Sequence, residues 1–113
     1  MTDITLVIEK NGRYLKCRAS GHAGFAEYGK DIVCSAVTIL MRTAIQVFSE
    51  TSGIEFETDT SLRGFLSFSA GVKKSDSVLQ EKIFTIGNFL QKGFDSLSEE
   101  FPENATVELK LED

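Results

Sequence analysis

The chain has 113 residues, 42% of them hydrophobic, with nine Phe, two Tyr and no Trp; that is enough apolar material for one domain over 1–113 and too much for a disordered chain. Twelve basic residues stand against seventeen acidic ones, a net charge of −5, which is the wrong sign for a protein that grips nucleic acid through its phosphates. No apolar run approaches the roughly 18 residues of a membrane span, and the opening Met1-Thr2-Asp3-Ile4 lacks the layout of an export signal. With only Cys17 and Cys34, the expectation is a cytoplasmic chain with reduced thiols.

Residues 4–9 and 13–19 alternate apolar and polar on either side of Asn11-Gly12. Asn-Gly suits a two-residue type I′ turn, where both positions need positive φ, so the spacing predicts a β-hairpin. Ile4, Leu6 and Ile8 share one face of its first strand, and Leu15, Cys17 and Ala19 one face of its second. Gly21, Gly24 and Gly29 then break any regular element, which predicts a loop as far as Lys30. A helix is predicted from Asp31, a favoured N-cap, to Ser49, with no Gly or Pro between them. Its polar residues fall on one stripe (Ser35, Thr38, Arg42, Gln46, Ser49). The remaining surface, with Val33, Val37, Leu40, Met41, Ala44, Ile45 and Phe48, predicts a central helix packed against more than one neighbour.

Beyond Gly53 two strands are expected at 54–59 and 63–70, turning near Thr60-Ser61. A second helix runs from Ser77 to Glu100, with Ser77 and Gln80 as a capping box and Leu79, Ile83, Ile86, Leu90, Phe94 and Leu97 as its apolar stripe. Gly87 and Gly93 weaken it by roughly 1 kcal/mol each unless close packing requires them. Pro102 stops it, and 105–111 alternates as a last strand. The order ββαββαβ belongs to the α+β class: a five-stranded mixed or antiparallel sheet with two packed helices.

The stretch from Gly21 to Val37 carries the chemistry, because it holds the only histidine, His22, and one of the two cysteines. With Asp31 as N-cap, Cys34 falls in the first helical turn, where the helix dipole and unpaired N–H groups favour thiolate over thiol. An imidazolium from His22 would stabilise that thiolate further, and the glycine-rich loop is long enough to bring it back over the helix. Each residue also has a plainer reading. A cysteine on an apolar helix is commonly a small buried hydrophobe, His22 a loop residue, and Asp31 a cap and nothing more. Cys17, His22, Asp31 and Cys34 match no zinc-site spacing, and the glycines form neither a Walker loop nor a dinucleotide fingerprint. No metal or cofactor is expected.

Gly21-His22-Ala23, followed by Gly29-Lys30-Asp31-Ile32-Val33-Cys34-Ser35-Ala36-Val37, resembles the signature of the ribosomal-processing cysteine proteases, the Prp family. The likeness extends over the whole chain in length and element order. It implies a bacterial, cytoplasmic, homodimeric cysteine endopeptidase that removes the N-terminal extension of large-subunit ribosomal protein number twenty-seven. It also implies Cys34 as nucleophile, His22 as its partner base and Asp31 at an acidic position, either capping or orienting. Ser35 stands where the family usually has Ala, and Thr38 where it usually has Ser; all are small. Cleavage after paired aromatics, before a small residue, is what the resemblance implies for the substrate.

The residues themselves add three expectations. N–H groups near Cys34 and Ser35 would stabilise the oxyanion. Phe25 and Tyr28, bracketed by Gly24 and Gly29, would line the substrate site on a segment that closes over bound peptide. Residues 99–113 carry six acids against Lys110 alone, which suits a basic protein partner, or simply a solubilising surface. The competing reading is a non-catalytic ribosome-assembly or protein-interaction module in which Cys34 is structural.

Overall fold

In the computed structural model, which describes residues 1–21, 28–60 and 64–113 (the side chains of 28–31 excepted), the first two alternating segments form an antiparallel hairpin of β1 (Thr2–Glu9) and β2 (Tyr14–Ser20). Leu6 lies opposite Cys17 and Ile8 opposite Leu15, so the inward residues of both strands build one buried apolar face. The turn is not the two-residue type. Residues 10–13 separate the strands, and Gly12 has positive φ (77°) while Asn11 does not. Gly12 N–H donates to Glu9 O at 2.9 Å, and Arg13 N–H to Asn11 Oδ1 at 2.9 Å, the bonding of a longer hairpin loop. Glycine is required at position 12 on a second count, because a Cβ there would collide with the Gln80 carbonyl.

The helix α1 (Tyr28–Ser49) starts three residues earlier than expected, so Tyr28, Gly29 and Lys30 belong to it and not to the loop. A glycine near a helix end costs at most about 1 kcal/mol, and nineteen further residues without Gly or Pro outweigh it. By length and mean hydropathy (1.6), Ile32–Ser49 is apolar enough to cross a membrane, contrary to the expectation that no run approaches that length. Its Val33, Val37, Met41, Ala44 and Phe48 are buried, with Phe48 tilted against Phe68 at 5.9 Å. Cover is nevertheless incomplete: Ile39 is 62% exposed and Val47 44%.

The helix α2 (Ser77–Glu100) keeps its expected bounds but is capped one residue earlier. Asp76 Oδ1 accepts from the N–H groups of Val78 and Leu79 at 3.1 Å each, and Gln80 Oε1 accepts from Asp76 N–H at 2.8 Å. Ser77 is therefore the first helical residue rather than the cap. Gly87 and Gly93 are places of close packing: a Cβ at Gly87 would come within 3.2 Å of Ile8 and Leu15, and one at Gly93 within 3.0 Å of Leu40.

With β3 (Glu55–Asp59), β4 (Phe65–Gly71) and β5 (Ala105–Glu112) the sheet has the order β3-β4-β2-β1-β5. It is mixed, because β5 runs parallel to β1 while the other neighbours are antiparallel. Both helices lie on the face that carries Ile4, Leu6, Ile8, Leu15, Cys17, Phe68 and Ala70, and all of these join one core. The start of β1, the end of β2 and the start of β4 meet at one end of the sheet. Ser20 pairs with both Asp3 and Phe65 there, and Gly21 N–H donates to Gly64 O at 2.8 Å.

Candidate active site

That end of the sheet faces α1. Cys34, Thr38 and Arg42 recur every four residues, so they lie along one line of the helix, and with Val37 they form the helical wall of a cavity of about 360 Å³. The opposite wall comes from Thr2 of β1, Ala19 and Gly21 at the end of β2, Thr60 after β3, and Gly64, Phe65 and Leu66 at the start of β4. This volume lies within the range of small-ligand pockets, and it suits one or two peptide side chains. Ala19, Val37, Phe65 and Leu66 make apolar walls, while Thr2, Thr38, Thr60 and Arg42 supply polar groups.

Cys34 is half-buried, with its sulfur 3.5 Å from the Thr2 hydroxyl. Cys17 is its opposite. It sits fully buried on the core face of β2, and burial pushes its thiol up to about 12. A thiol that cannot ionise near neutral pH is no nucleophile, so only Cys34 combines access with a cavity.

The earlier start of α1 changes three expected roles. Asp31 is the fourth residue of the helix, not the residue that precedes it. Cys34 is the seventh residue, beyond the first turn, so the dipole and free N–H groups invoked for it act mainly on positions before it. The Ser35 N–H, one residue further on, is directed to the carbonyl four residues back and is not free for an oxyanion; Ser35 itself is exposed and does not line the cavity. His22, Gly24 and Phe25 lie outside the described residues, and of Tyr28, Gly29 and Asp31 only the helical backbone is described.

Thr2, Phe65, Leu66 and Arg42 were not singled out as site residues by their sequence context. One signal was present. Thr2 falls two residues before Ile4 on the inward-facing register of β1, and a hydroxyl at an inward position needs a partner.

A family model described as Cysteine protease Prp matches residues 1–106. Among solved structures the fold is similar to that of SMU.848 from Streptococcus mutans, at 24% identity and TM-score 0.73, over 99% of this chain and 96% of that one. It is also similar to the essential ribosomal processing protease Prp from S. aureus in complex with a substrate peptide, at 18% identity and TM-score 0.75, over 97% of this chain and 100% of that one. No curated protein sequence matches the chain. Because the family match spans nearly its whole length, the chain belongs to the cysteine protease Prp family and is a cysteine protease.

Proposed function

We propose that the protein is a ribosomal-processing endopeptidase that uses Cys34 as nucleophile and His22 as its acid and base. The substrate assigned to it is the N-terminal extension of large-subunit ribosomal protein number twenty-seven, met in the cytoplasm. The observation that carries this reading is the position of Cys34 in the wall of a cavity sized for peptide side chains. Its family membership and its fold likeness to a ribosomal processing protease from S. aureus support it.

In the reaction, the Cys34 thiolate attacks the scissile carbonyl carbon and the carbonyl π pair moves to oxygen. Collapse of that intermediate expels the amine, which takes its proton from the His22 imidazolium and leaves a thioester on Cys34. Water then adds to the thioester, His22 accepts the water proton, and the acid product leaves with the thiolate regenerated. The apolar walls at Ala19, Val37, Phe65 and Leu66 suit an aromatic residue beside the cut. Arg42, on the helical wall, would meet a carbonyl or carboxylate of the peptide rather than a basic side chain.

Incubation with extended and trimmed forms of the ribosomal protein, followed by intact-mass analysis, tests the proposal. A single cut in the extended form, absent with Cys34→Ala, is the expected result. Survival of the extended form with wild-type protein overturns the substrate assignment, and cleavage by Cys34→Ala overturns the nucleophile.

We propose also that the chain works as a homodimer. Ile39 and Val47 on α1 and Phe89 on α2, each 44–62% exposed, are the apolar residues that support this.

A further inference from the structure

Thr2 is 4% exposed, and it is the one buried polar side chain among the described residues. Its backbone is fixed by β1: the N–H donates to Asn104 O at 2.8 Å, and the residue pairs with Ala105 of β5. Its hydroxyl is confined as well. A Cβ on Gly21 would stand 3.0 Å from Oγ1, and on the other side Oγ1 lies 3.5 Å from Cys34 Sγ. No buried side-chain oxygen or nitrogen among the described residues is left without a partner, and the partner shown for this hydroxyl is the Cys34 sulfur.

We propose that Thr2 is a positioning residue for the nucleophile: its hydroxyl donates to Cys34 Sγ and holds the thiolate at the cavity wall. The assignment rests on the reading of Cys34 as the nucleophile. A threonine hydroxyl has one proton and two acceptor lone pairs. Facing a thiol, either atom can donate. Facing a thiolate, which has no proton, only the hydroxyl can, and the bond becomes charge-assisted. Deprotonation of Cys34 therefore strengthens the contact and fixes its direction. Valine has nearly the same shape and suits a strand at least as well, so packing alone gives no reason for a hydroxyl at this inward position. The sulfur does.

The test compares wild type, Thr2→Val and Thr2→Ser in the full chain. Native-state alkylation of Cys34 by iodoacetamide is followed against pH by mass spectrometry, with buried Cys17 as the internal control for unfolding. With Val, the alkylation midpoint is expected to move to higher pH and the rate at neutral pH to fall roughly 3- to 10-fold, the effect of losing one hydrogen bond of ordinary net strength. Ser is expected to restore the wild-type profile. In peptidase assays Val is expected to lower kcat with little change in KM. A purely structural Thr2 would change thermal stability and leave the profile alone. If Val crowds the sulfur and the protein fails to fold, Thr2→Ala removes the same hydroxyl without adding bulk and is expected to give the same shift. A Val or Ala profile superimposable on wild type overturns the Thr2 assignment whatever the peptidase shows. Cleavage retained by Cys34→Ala, by contrast, removes the nucleophile reading on which the assignment rests.

Discussion

Cys17 and Cys34 differ by what surrounds them rather than by any property of the side chain. Leu6 and Phe68 flank Cys17 across the sheet, and it meets no water; Cys34 opens onto a cavity. In native protein, iodoacetamide should modify Cys34 first, with Cys17 protected until the chain unfolds. Comparable rates at the two positions would contradict the assignment of the site. Cys34→Ala should abolish cleavage while the circular dichroism spectrum stays native, since the side chain is small and only half-buried. His22→Ala should lower kcat/KM by roughly 10²–10⁴-fold, the usual cost of losing an acid/base group. An effect below tenfold would require another partner for Cys34. At this scale the cysteine of the cavity wall was legible, because a cysteine inside a specific motif is a chemical signal. Thr2 was harder to see, because it acts across 32 positions of sequence through the fold.

Among the elements, periodicity located all seven, and the misplacements share one cause. Local residues that look like signals were overridden by their neighbours. Gly29 reads as a breaker, yet α1 runs through it, which moved Cys34 out of the first turn. Ser77 reads as a cap, yet Asp76 takes that role because Gln80 bonds back to the Asp76 N–H. Asn11-Gly12 reads as a two-residue turn, yet the Asn11 carbonyl is held by Gln80 Nε2 at 2.8 Å, a partner in α2 that no local rule includes. The hairpin and α2 thus stabilise each other's termini. Asp76→Ala should cost about 1 kcal/mol in urea unfolding, the usual value of an N-cap. Gly12→Ala should cost more, about 2 kcal/mol or above, because positive φ and the Gln80 carbonyl both oppose a Cβ. A Gly12→Ala variant as stable as wild type would mean that the hairpin loop and α2 separate freely.

For the whole molecule, burying Cys17 links stability to pH. Its thiol ionises near 9.0 when unhindered and only at about 12 in the folded core, because burial penalises the thiolate. Below pH 9 both folded and unfolded chains keep the proton, and the core packing counts in full. Between 9 and about 12 the unfolded chain releases a proton that the folded chain retains. The unfolded state then binds fewer protons, so stability falls as pH rises, by up to about 1.4 kcal/mol per pH unit for this one group. The decisive quantity is the difference between wild type and Cys17→Ala, which have every other group in common. Wild type should be the more stable at pH 7, where Ala leaves a small cavity facing Leu6 and Phe68. That advantage should shrink steadily in urea unfolding from pH 9 to pH 11, because only wild type carries the thiol. An advantage that stayed constant across those pH values would show that Cys17 ionises in the folded state as easily as in the unfolded one, and that the sheet face around it admits water.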